Sequence, residues 1–154
     1  LELSTNVFKL DEGRRRVHYD PRLGNVPQLP NETAEMINKS KVLVIPSAGE
    51  SFCLPVLESA ACGTPAIVTD YSGIKEYMGD ATLYADVSEE FWFQWGFLKL
   101  VNIKDLSDKM YTLLTDEKLY AKQVERCIKK ASELTWHEPA LQFKKYCEEI
   151  ASGK

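Results

Sequence analysis

Two carboxylates, Glu50 and Glu58, bracket the run Ser51-Phe52-Cys53-Leu54-Pro55-Val56-Leu57, which reads as a loop turning into a helix. Pro55 suits a first helical turn, where its missing N–H is no loss and its fixed φ is already helical. Glu50 then lies on the loop and Glu58 near the end of the first turn, so both can face one crevice. The free N–H groups and the positive dipole end of the helix converge on the same crevice. Such a place suits an anionic ligand that also carries hydroxyls, because amides donate to phosphate and carboxylates accept from OH groups. The plainer reading is that two glutamates at this spacing arise by chance on ordinary α/β architecture.

The elements around the pair are readable. An apolar strand, 41–45, precedes the loop; a helix over 54–62 ends at Cys62-Gly63-Thr64-Pro65; a second strand covers 65–69. The unbroken apolar run Val42–Ile45 implies a parallel sheet covered on both faces. A helix opens at Asn31 or Glu32 and runs to Lys39, with Ala34 and Ile37 on one face. Helix 73–78 and strand 81–85 follow. The C-terminal part, 104–154, is helical over 104–115, 117–133 and 138–151, with Leu119, Val124, Cys127 and Ile128 near helical spacing in the second and Leu141, Phe143, Tyr146 and Ile150 in the third. Residues 1–30 read as irregular, with short strands at 6–10 and 16–19. The expected fold is α/β: a Rossmann-like parallel sheet with helices on both faces and a helical C-terminus, in one domain spanning 1–154.

Pro46-Ser47, the loop from Gly49 to Ser59, and Ala60-Ala61-Cys62-Gly63-Thr64-Pro65 together resemble the donor-site segment of retaining glycosyltransferases of the GT-B fold, family 4 above all. The likeness runs from Gly24 to Asp86. Within it, Gly73-Ile74-Lys75-Glu76 resembles a Gly-x-x-Glu element, and Gly79–Asp86 resembles the short strand after it. The resemblance implies the C-terminal, donor-binding half of a GT-B architecture and transfer of a hexose from a nucleotide-diphosphate sugar to a hydroxyl acceptor. It implies that Glu58 accepts from the ribose hydroxyls, and that Glu50, the catalytic candidate, orients the donor sugar. The amides of Ser51, Phe52, Cys53 and Leu54 would meet sugar and pyrophosphate, and Val26 would lie against the base. No metal and no further cofactor are implied, since amides and cations stabilise the leaving diphosphate. Glycine is usual in the family where this chain has Ser51 and Cys53, and a Cβ at Cys53 narrows the approach to the phosphates. A reactive thiol is the other reading of Cys53, with no neighbouring base in sequence to support it.

At 154 residues the chain is long enough for one real core. A complete GT-B enzyme carries a second domain that binds the acceptor, so an acceptor-binding domain or partner subunit is expected beyond this chain. The stretch before Val26 is too short for the usual early βα units, so 1–30 reads as abbreviated or truncated; Arg14-Arg15-Arg16 and Arg22 are candidate phosphate contacts or a solvated basic surface. A different class of function also fits: a non-catalytic nucleotide-sugar-binding subunit that completes a partner's active site. A sugar-nucleotide epimerase of the same fold is disfavoured by the lack of histidines near the loop.

Phe91-Trp92-Phe93-Gln94-Trp95-Gly96-Phe97 is dense in aromatic rings. It is either an insertion packed on the domain's own core or an exposed partner or membrane-interface surface, the latter contacting a membrane through Phe91, Trp92 and Trp95. A net charge of −4 argues against a nucleic-acid partner. Cysteines at 53, 62, 127 and 147 have no CxxC spacing and read as free thiols of a reducing compartment. His18 and His137 have no ligand partners in sequence, and His137 reads as a surface or capping residue. With no signal peptide and no long apolar run, the expected location is cytoplasmic, with or without peripheral membrane contact.

Overall fold

The computed structural model describes Lys9–Leu10, Val17–His18 and residues 30–153 apart from 72, 94 and 95. Val26, Arg14–Arg16, Arg22 and Trp95 lie outside the described residues. Two short strands, β1 (Lys9–Leu10) and β2 (Val17–His18), pair antiparallel. Helix α1 (Pro30–Lys39) leads into a three-stranded parallel sheet of β3 (Leu43–Ile45), β4 (Ala66–Thr69) and β5 (Leu83–Ala85), ordered β3-β4-β5. Helix α2 (Leu54–Ala61) joins β3 to β4, and α3 (Ile74–Met78) with a 3₁₀ turn (Gly79–Ala81) joins β4 to β5.

All four residues of β4 are buried, and they alternate between two cores. Ala66 and Val68 pack with Val56, Ala60, Ile74, Met78, Ala81 and Cys127, that is, with α2, α3 and α5 (Glu117–Glu133). Ile67 packs with Ala85 and Leu113 on the other face, beneath α4 (Ile103–Thr115). Period-two alternation on a sheet sandwiched by helices is what the apolar strand pattern requires. The strands are shorter than their sequence limits. Pro65 brings no N–H to a ladder, although its carbonyl accepts from Leu43 at 2.9 Å, and Ala81 belongs to the 3₁₀ turn.

The end of α2 follows the Gly-Pro punctuation. Thr64 N donates to the Ser59 carbonyl and Gly63 N to that of Ala60, with Gly63 at φ 73°, which is a Schellman closure. A side chain at Gly63 would also press on Ile128 of α5. The buried Ser59 and Thr64 hydroxyls donate to the carbonyls of Thr64 and Ile37, so this turn ties α2 to α1. Helix α5 buries Gln123 and Cys127, and Gln123 Nε2 donates to the Asp80 carbonyl at 3.1 Å. Arg126 pairs with the Asp80 carboxylate at 3.1 Å. The 3₁₀ turn after α3 is thereby clamped from below.

The aromatic segment is an antiparallel hairpin of β6 (Val87–Phe93) and β7 (Gly96–Val101). Trp92 and Phe97 face each other edge to face at 4.9 Å, and Glu90 pairs with Lys99 directly opposite. Trp92 is 62% exposed, and Phe91, Phe93 and Phe97 are exposed too, so these rings do not pack on the domain's own core. The last helix, α6 (His137–Ala151), buries none of its residues; Trp136 just before it is 82% exposed and Phe143 72%. Trp136, not His137, holds its N-cap position, with no side-chain cap. No helix among the described residues is long and apolar enough to cross a membrane.

Leu113, on the inward face of α4, is fully buried against Ile67 of β4 and Ala85 of β5. Leu113→Ala should therefore cost about 2–5 kcal/mol, read as a lowered urea midpoint with little change in slope. A cost under about 0.5 kcal/mol, the range of a surface site, would contradict this packing.

Candidate functional site

The loop between β3 and α2 leaves the C-terminal edge of the parallel sheet, where crevices of open α/β sheets form. It is held by its neighbours mainly through backbone. On one side, Lys99 N of β7 donates to the Ala48 carbonyl at 3.0 Å, and Leu98 stands where a side chain on Gly49 would go. The Tyr71 hydroxyl donates to the Phe97 carbonyl at 3.1 Å, and Lys99 Nζ lies 4.9 Å from the Tyr71 ring centre. These contacts seat the hairpin beside the first half of the loop.

On the other side stands α3. A Cβ on Gly73 would fall well inside van der Waals distance of the Ser51 carbonyl, so only glycine permits this approach. The Tyr77 ring stacks on Phe52 at 4.3 Å with 10° between planes. Its hydroxyl donates to the Phe52 carbonyl and, at 3.3 Å, to that of Cys53. Burial pushes the Tyr77 phenol well above its ordinary pKa, with Cys53, Tyr84 and Glu50 adding to the rise, so it stays a donor at any working pH.

Cys53 occupies the N-cap position of α2 at φ 58°, ψ 70° and makes no side-chain cap. A left-handed residue with a Cβ costs roughly 1–2 kcal/mol relative to the right-handed form, which is the physical reason glycine suits this position. Val56 N bonds the Cys53 carbonyl at 3.0 Å, whereas the amides of Ser51, Phe52, Cys53 and Leu54 donate to no described residue. Burial first, then the Glu50 carboxylate, raises the Cys53 thiol above its ordinary pKa. The thiol is therefore neutral at pH 7, which counts against the reactive-thiolate reading.

Glu50 is half-buried on the loop, close enough for its charge to act on Cys53 and Tyr77. Glu58 is exposed on α2, on the side away from the buried Val56, Ser59 and Ala60. Because α2 starts at Leu54, Glu58 begins the second turn rather than ending the first. Neither carboxylate has an ion-pair or hydrogen-bond partner among the described residues. Phe52 and Leu54 are exposed at 42% and 49%. Tyr77 and the hairpin are contributors that periodicity could not reveal, because their loop partners lie 24 or more residues away.

Over residues 23–133 the sequence matches the family described as Glycosyl transferases group 1. The chain belongs to that family. Among curated relatives it is 35% identical over 89 residues to the N,N'-diacetylbacillosaminyl-diphospho-undecaprenol alpha-1,3-N-acetylgalactosaminyltransferase of Campylobacter jejuni, covering 58% of this chain and 21% of that protein. It is 34% identical over 83 residues to an O-antigen chain mannosyltransferase B of Escherichia coli, covering 54% of this chain and 21% of the relative. A D-inositol 3-phosphate glycosyltransferase of Rhodococcus erythropolis shares 42% identity over 48 residues, 31% of this chain and 11% of the relative. The matched region thus spans about a fifth or less of each of these proteins.

The contrast between two glycines tests the loop packing. Gly73→Ala should destabilise by about 1–3 kcal/mol, since backbone must move to admit the methyl. Gly96→Ala, which meets nothing within 4 Å, should stay within about 0.5 kcal/mol of the parent. Equal effects of the two changes on thermal unfolding would refute the close contact.

Proposed function

We propose that this chain is the donor-binding part of a retaining glycosyltransferase that moves a hexose from a nucleotide-diphosphate sugar to a hydroxyl acceptor. The observation that carries the reading is the loop itself. A left-handed Cys53 stands among four amides that donate to no described residue, at the start of α2 with no side-chain cap, and the Glu50 and Glu58 carboxylates on the same segment have no partner among the described residues. Amides and a helix start favour a diphosphate, and unpaired carboxylates favour sugar hydroxyls.

In this reading Glu58 accepts from the ribose hydroxyls. Glu50 accepts from the donor sugar and orients it, as the residue nearest the reacting carbon. The amides of Ser51, Phe52, Cys53 and Leu54 take the diphosphate, and they stabilise it further as the glycosidic bond breaks and charge moves onto it. Val26 lies against the base. No metal is needed for that stabilisation. The acceptor is held by a further domain or partner subunit, and the hairpin aromatics Phe91, Trp92 and Trp95 meet a membrane interface. Support for an acceptor at a membrane comes from the exposure of Phe91 and Trp92, and from one relative whose name carries a diphospho-undecaprenol group.

Calorimetric titration with UDP, GDP, ADP and their glucose and mannose conjugates tests the assignment. One base series should bind, and Glu58→Ala should weaken it by about 1–3 kcal/mol. Glu50→Gln should leave the bare diphosphate unaffected and remove the extra affinity of the sugar conjugate. Unchanged affinity in Glu58→Ala would rule out the ribose role.

A further inference from the structure

The hydroxyl of Tyr77 reaches two successive carbonyls of the loop, and this fixes more than their position. A trans peptide is planar, so the N–H of each residue points opposite to the carbonyl that precedes it. The Phe52 carbonyl accepts from Tyr77, which turns the Cys53 N–H away from α3. The Cys53 carbonyl accepts from Tyr77 at 3.3 Å and from Val56 N at 3.0 Å, which turns the Leu54 N–H away likewise. In extended chain, successive amides point to opposite sides. The left-handed Cys53 is what lets these two share one, and paired amides of this kind make a concavity for anions.

Resting on the donor-site reading, we propose that Tyr77 is a positioning residue for phosphate binding. Its hydroxyl holds the Phe52 and Cys53 carbonyls on the α3 side so that the amides of Cys53 and Leu54 aim together at the ligand's diphosphate. The stack of Tyr77 on Phe52 at 4.3 Å sets the distance, and Gly73, by admitting the Ser51 carbonyl, lets α3 come near enough for the hydroxyl to reach. The clamp of Gln123 and Arg126 on Asp80 holds the far end of α3. Tyr77 touches no ligand in this arrangement; it acts through two peptide groups.

Tyr77→Phe isolates the hydroxyl, because the ring and its stack are kept. Tyr84→Phe is the control. Tyr84 packs against the same core, and its hydroxyl is buried with no hydrogen-bond partner among the described residues, so losing it removes no described loop contact. Each protein is titrated with UDP, GDP and ADP, and with the nucleoside of whichever diphosphate binds. Thermal unfolding confirms that each variant is folded. Tyr77→Phe should bind the diphosphate about tenfold more weakly, with nucleoside affinity unchanged, and Tyr84→Phe should match the parent for both. Equal diphosphate affinity in Tyr77→Phe and the parent overturns the proposal and leaves the donor site standing. An equal loss for nucleoside and diphosphate overturns it too, because a general loosening of the loop would act that way. A parent chain that binds none of the three diphosphates overturns the donor-site reading, and this proposal with it.

Discussion

Backbone meeting backbone governs this molecule's candidate site. The Ser51 carbonyl lies against Gly73 with no room for a Cβ, the Ala48 carbonyl takes the Lys99 amide, and the Phe52 and Cys53 carbonyls share one phenol. Two separate elements, β7 and α3 with its N-cap Gly73, must therefore be in register before the loop has its shape. Each is placed from the core. β7 follows β6 directly from the sheet, and α3 is anchored by the buried Ile74 and Met78 and by the clamp on Asp80. The loop contributes little apolar burial of its own, so its geometry depends on the two cores that flank β4.

The sheet and its helices were legible in the chain because their residues follow the simple periods. Val42–Ile45 and Ala66–Val68 are apolar without interruption; β4 is buried on both faces as that pattern demands, β3 is half-buried, and Gly63 with Pro65 marks the end of α2. The helices at 117–133 and near 138–151 and 104–115 lie within a residue of where the pattern put them. The inward face of α5 departs in part from its apolar spacing. Gln123 is buried while Ile128 is half exposed, because the Asp80 carbonyl supplies Gln123 with a partner that no hydrophobic scale represents.

For the site, the residues of the loop were readable and its conformation was not. A left-handed cysteine cannot be inferred from composition, and the loop's contacts with Tyr77 and β7 are non-local. The hairpin at 87–101 was visible only as a density of aromatic rings. The alternation that marks a half-buried strand is missing from β6, whose residues from Ser88 onward are all exposed. The same exposure on α6, where Phe143, Tyr146 and Ile150 recur at helical spacing, gives the chain two apolar surfaces that its own core leaves open.

A chain of this family that matches only a fifth of a relative's length is best judged by whether its loop binds a ligand at all. The most direct measurement is backbone amide NMR of the chain during titration with the nucleoside diphosphate of highest affinity. A donor site built as described requires the largest shifts at the amides of Ser51, Phe52, Cys53 and Leu54, with Glu58 responding on α2. Shifts centred elsewhere, or none at these amides under saturating ligand, would contradict it.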